Sequence, residues 1–108
     1  MVGPTKLRCI SQWLGLAAVV AATPASGADP SNGQRLAQRW CETCHVVTPT
    51  QRRAATDQAP PFATIAKIPD FDAGKIALFL LDPHPKMPNM ALSRSEAADI
   101  AAYIATLK

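Results

Sequence analysis

The 108-residue sequence predicts an all-α fold of three to five helices. Three observations carry that expectation. Two segments, Ser31-Asn32-Gly33-Gln34 and Ser93-Arg94-Ser95-Glu96, open at capping-box spacing. Apolar residues recur at three- and four-residue intervals, most clearly Ile100, Tyr103, Ile104 and Leu107. Prolines punctuate the connections, and no run alternates apolar with polar side chains as a half-buried strand would.

Taken in order, the chain begins with a leader. Lys6 and Arg8 form a charged start, Ile10 to Ala22 an apolar stretch broken by Ser11, Gln12 and Gly15, and Ala25-Ser26-Gly27-Ala28 a run of small residues. Residues 1–28 therefore read as a secretory signal peptide, cleaved after Gly27 or Ala28, and residues 29–108 as the folded domain. The apolar stretch is shorter than the roughly 20 residues of a spanning helix, so no stable membrane anchor is expected after cleavage. Removing Lys6 and Arg8 from the eleven Lys and Arg leaves nine, against eight Asp and Glu. The basic excess thus belongs mostly to the leader and gives no support for a nucleic-acid partner. Cys9 leaves with it, and the mature chain keeps Cys41 and Cys44 alone.

The first helix is expected to begin near Ser31, behind Pro30, and to run through Leu36, Ala37 and Trp40. Gly33 costs about 1 kcal/mol in a helix relative to alanine, so it marks either a helix crossing or a flexible first turn. A polar stretch from Thr48 to Ala59, with Pro49, Arg52 and Arg53, reads as a surface loop. Pro60-Pro61 stiffens the chain before a short helical turn, Phe62 to Lys67, which Pro69 ends. Asp72 is the expected N-cap of a helix reaching Leu81. From Asp82 to Met90 three prolines, Pro83, Pro85 and Pro88, forbid helix and make a stiff strap. The last helix follows its capping box to Lys108.

The chemistry lies in Cys41-Glu42-Thr43-Cys44-His45, which reads C-x-x-C-H, the attachment signature of a c-type haem. Two thiols at this spacing can each add to a haem vinyl group, and the histidine that follows can ligate the iron from the proximal side. Three rival readings of the motif fit less well. A thioredoxin-like pair wants a βαβ context that the sequence lacks. A zinc site needs four ligands, and no second C-x-x-C or H-x-x-x-H completes one. A Cys41–Cys44 disulfide leaves His45 unexplained. One covalently bound haem c is the expected cofactor, and it would give a mature domain of about 80 residues the apolar plate that so small a core needs. Export agrees with this chemistry, so the periplasm is the expected location.

Over the whole mature region the sequence resembles a small class I c-type cytochrome. The resemblance rests on Gly33 and Trp40 in a first helix leading into Cys41–His45, on Pro60-Pro61-Phe62, on the Met87-Pro88 pair, and on Ala102-Tyr103-Ile104 in the last helix. It departs from the family at Ala59, where glycine is frequent. It implies a cytochrome c fold wrapped around the haem, with first and last helices crossing so that Gly33 and Trp40 pack near Tyr103. It implies that Pro60 offers its carbonyl to the proximal histidine, and that Met87 is the distal iron ligand. Met90 and His84 are the alternatives, together with an open site. Histidine–methionine ligation closes both axial positions and favours ferrous iron, which suits a one-electron carrier rather than an enzyme. No Ser/His/Asp set, paired carboxylates or phosphate loop offers other chemistry. The expected partners are redox proteins met transiently, with Lys86 beside the haem edge, or a periplasmic dehydrogenase of which this chain is a subunit. A gas-binding or peroxidatic protein is the third reading, and it requires that Met87 leave the iron open.

Overall fold

The computed structural model describes residues 3–4, 14–20, 27–51, 59–83 and 85–108. Lys6, Arg8, Cys9, most of the expected leader, Arg52, Arg53 and His84 lie outside the described residues. Among those described, four helices form and no strand: α1 (Pro30–Trp40), α2 (Phe62–Ala66), α3 (Ala73–Leu81) and α4 (Arg94–Ala105). None is long and apolar enough to cross a membrane.

The helix starts show which capping side chain wins. Asp72 caps α3 by accepting from Lys75 N–H, and Ser93 and Glu96 form the reciprocal box at α4. At α1 the expected Ser31–Gln34 box does not form. Asp29 is the cap, accepting from the backbone N–H of Ser31 and Asn32, and the helix starts one residue earlier at Pro30. The reason is proline itself: it has no N–H to satisfy and its fixed φ suits the first helical position, so the acceptor just before it becomes the cap.

All helix pairing runs through α4, which packs against α1, α2 and α3. Where α1 meets α4, Gly33 is buried, and a Cβ built there would overlap the Asp99 carbonyl and crowd Ile100 N at 2.9 Å. The glycine therefore sets the distance of closest approach, which settles its role as a crossing point. Asp99 fastens the same crossing: Oδ1 accepts the Asp29 N–H at 2.7 Å and Oδ2 the Asn32 amide at 2.8 Å. The core below contains Ala37, Val47, Phe62, Leu80, Ile100, Tyr103 and Ile104.

Two expectations about this core are corrected. Trp40 does not join it; the indole is 43% exposed, with the Arg39 guanidinium 4.9 Å from its ring centre. The aromatic neighbour of Tyr103 is Phe62, at 6.4 Å between ring centres. Trp40 is the last residue of α1, whereas Phe62 opens α2, which packs against α4. The last helix also ends sooner than Lys108, at Ala105, where the Thr106 hydroxyl donates to the Tyr103 carbonyl at 2.6 Å and draws the chain into a turn.

Candidate functional site

The C-x-x-C-H motif sits where α1 ends. Cys41 N–H still reaches the Ala37 carbonyl at 2.8 Å, and His45 N–H reaches the Cys41 carbonyl at 2.8 Å, so the motif continues as a tight turn. That turn sets Cys41, Cys44 and His45 along one wall of a cleft with about 750 Å³ of unfilled space, its open mouth included. Trp40, Ala59 and Pro60 complete the wall, and Lys86, Met87, Pro88 and Met90 supply the other.

His45 is oriented from below. Its Nδ1 lies 2.6 Å from the Pro60 carbonyl oxygen, which can only accept, so Nδ1 carries a proton and, in the neutral ring, Nε2 keeps its lone pair. The imidazole also rests on Phe62, 5.2 Å between ring centres. The backbone around it is pinned as well. Phe62 N–H donates to the Val46 carbonyl at 2.9 Å, and the buried Tyr103 hydroxyl donates to the Val47 carbonyl at 2.5 Å. Burial pushes the Tyr103 phenol up from its ordinary value, which keeps it a donor. The sequence marks Tyr103 as part of an apolar helix face and of the family resemblance but not as a hydrogen-bond donor, and it marks Gln51, whose side chain bonds this same backbone, only as loop.

Both cysteines are free thiols, not a disulfide. Burial, and secondarily the neighbouring Cys44, pushes Cys41 up to about 11, so it stays a neutral thiol in the physiological range. Among the described residues no group of three or more His, Cys, Asp and Glu could hold a bare metal ion.

On the opposite wall, Met87 and Met90 both reach the cleft, and of the two Met87 also packs against the core. The strap returns to α4 through Ala91, whose φ of 52° is left-handed, with Ala91 N–H donating to Asn89 Oδ1 at 2.8 Å. His84 lies outside the described residues, so the cleft is built without reference to it. Two unpaired thiols, an imidazole with a free Nε2 and a facing thioether form a donor set that fits a covalently attached haem.

The comparisons with known proteins agree with this reading. The cytochrome c family model matches residues 30–108. Cytochrome c-552 of Bradyrhizobium diazoefficiens is 53% identical over 95 residues, covering 88% of this chain and 90% of that protein. No solved structure matches the chain.

Proposed function

The chain belongs to the cytochrome c family as a small class I c-type cytochrome with covalently bound haem c, and from that premise we propose that it shuttles single electrons between protein partners in the periplasm. The observation that carries the reading is the make-up of the cleft: an imidazole whose Nδ1–H is taken by the Pro60 carbonyl lines the same cleft as Cys41, Cys44 and Met87.

Cys41 and Cys44 would hold the haem through thioether bonds, and His45 would bind the iron by Nε2. Met87 would supply the second iron ligand from the protein, since it combines access to the cleft with anchorage on the core. When bound, the haem supplies one-electron iron chemistry that neither side chains nor backbone can. The protein's own contribution is to keep both ligands in place through the change of charge, so that little has to move. The Pro60 carbonyl keeps the imidazole in one tautomer, and the prolines beside Met87 restrict the strap. Lys86, exposed on the rim of the cleft, would meet an acidic partner, and the contact would be small and short-lived. Residues 1–28 would be the export leader, and mass analysis of the exported protein should find a first residue of Ala28 or Asp29.

The test of the ligand set is the absorption spectrum of the holoprotein, oxidised and reduced, for the parent, Met87→Ala and Met90→Ala. The expected result is a weak far-red iron–thioether band in the oxidised parent and in Met90→Ala, lost in Met87→Ala. A band that survives in Met87→Ala and disappears in Met90→Ala would move the ligand. A high-spin parent without the band would overturn the electron-carrier reading in favour of gas or peroxide chemistry.

A further inference from the structure

Gln51 stands six residues beyond the imidazole assigned to the iron, in a stretch the sequence marks only as polar loop. Its backbone N–H donates to the Thr48 carbonyl at 3.2 Å, closing a turn that carries the side chain back over the C-x-x-C-H segment. There, among the described residues, the carboxamide makes three hydrogen bonds to backbone groups. Oε1 accepts the Val47 N–H at 2.9 Å, and Nε2 donates to the His45 carbonyl at 3.0 Å and to the Glu42 carbonyl at 3.3 Å.

These bonds complete a set. The Val46 carbonyl is taken by Phe62 N–H and the Val47 carbonyl by the Tyr103 hydroxyl. With the His45 carbonyl and the Val47 N–H both on Gln51, the backbone leaving the imidazole is held on every side. The position needs an acceptor and a two-proton donor at the end of the same side chain. Glutamine provides both; a glutamate offers only acceptors to the two carbonyls, and an asparagine is one methylene short.

We propose that Gln51 is a positioning residue for the proximal iron ligand: its carboxamide braces the His45 and Val47 backbone and thereby sets the orientation of the imidazole toward the iron. This rests on the reading of His45 as that ligand. The brace acts through the backbone, while the Pro60 carbonyl acts on the ring, so each constrains a different degree of freedom of one side chain.

The experiment compares holoprotein of the parent, Gln51→Met and Gln51→Glu by NMR. It reads the paramagnetically shifted His45 ring resonances of the ferric form and the amide exchange of Val47, with Ile100 exchange reporting global stability. In Gln51→Met the Val47 amide should exchange about tenfold faster relative to Ile100, and the His45 resonances should move, with the far-red band retained. In Gln51→Glu, which keeps the acceptor, Val47 protection should return toward the parent while the His45 resonances stay displaced. Should Gln51→Met accumulate without haem, Gln51→Glu alone decides, through those resonances. His45 signals superimposable on the parent's in a haem-bearing variant would overturn this proposal by itself. A parent without covalent haem would overturn the ligand assignment and this proposal together.

Discussion

The chain from Cys41 to Gln51 is tied down almost residue by residue, by Ala37, Pro60, Phe62, Tyr103 and the Gln51 carboxamide. The strap across the cleft, from Lys86 to Met90, has among the described residues one local hydrogen bond, from Ala91 N–H to Asn89 Oδ1, and leans on prolines and the packing of Met87. The difference follows from what each wall must do. The first carries the covalent attachment and a ligand whose ring nitrogen must keep one tautomer, so it is specified by directional bonds that reach into the core. The second presents a thioether, a soft ligand on an unbranched, flexible side chain, and chain stiffness with a little burial is sufficient for that. Damage to the first wall should therefore spread into the fold, and damage to the second should stay local.

The largest break should come from Gly33→Ala, though Gly33 lies outside the cleft. Its added methyl meets Asp99 backbone rather than a movable side chain, so α1 must shift on α4 and carry the C-x-x-C-H turn with it. The expected cost is about 3 kcal/mol or more by chemical denaturation, with a lower yield of holoprotein. A variant as stable as the parent would show that the crossing does not support the first wall. Next is Tyr103→Phe, which deletes the donor to the buried Val47 carbonyl and leaves the ring packing in place. Leaving that acceptor unpaired should cost about 1–3 kcal/mol, and faster exchange of amides near Val47 should accompany the loss. A loss confined to the strap would contradict the division drawn between the walls.

The parts of this arrangement that were legible in the sequence are those written in neighbouring residues. The C-x-x-C-H run, the Ser93–Glu96 box, the Asp72 cap and the proline-rich strap all depend on spacings of a few residues, and each stands where those spacings put it. At α1 two local signals competed, since Asp29 before Pro30 and Ser31 before Gln34 are both grammatical starts. Proline at the first helical position decided for Asp29. What could not be read are the bonds between distant segments: Tyr103 to Val47 spans 56 positions and Asn32 to Asp99 spans 67. A tyrosine among isoleucines on a helix face shows its apolar side, and nothing local says that its hydroxyl will find a carbonyl. Gln51 was hidden for the same reason, because the backbone groups it binds among the described residues carry no side-chain signature.

The strap itself can be sharpened rather than broken. Ala91 holds a left-handed φ of 52°, which disfavours a Cβ by roughly 1–2 kcal/mol, whereas glycine adopts it freely. Against that gain stands the greater flexibility of glycine in the unfolded chain, worth about 0.5–1 kcal/mol. Ala91→Gly should therefore raise stability by up to about 1.5 kcal/mol, leaving Val47 exchange unchanged relative to Ile100. Destabilisation would mean that the Ala91 methyl makes contacts worth more than the strain.

The smallest effect belongs where strap and fold meet, at the start of α4. Glu96 accepts the Ser93 N–H at 2.9 Å, and this bond, with help from the Ser93 side chain, holds its carboxyl below the usual carboxylate range. A group whose folded pKa is lowered contributes stability that is present above its unfolded pKa and disappears as pH falls through the folded one. The difference in melting temperature between the parent and Glu96→Gln should therefore be full above the range of an unfolded glutamate, about pH 5, and shrink as the solution is acidified below that range. Because Glu96 is only half-buried, at the helix end, the difference should remain small at every pH and weaken with added salt. A gap that instead widened on acidification would mean that the carboxylate is a liability at α4, and that Ser93 caps the helix unaided.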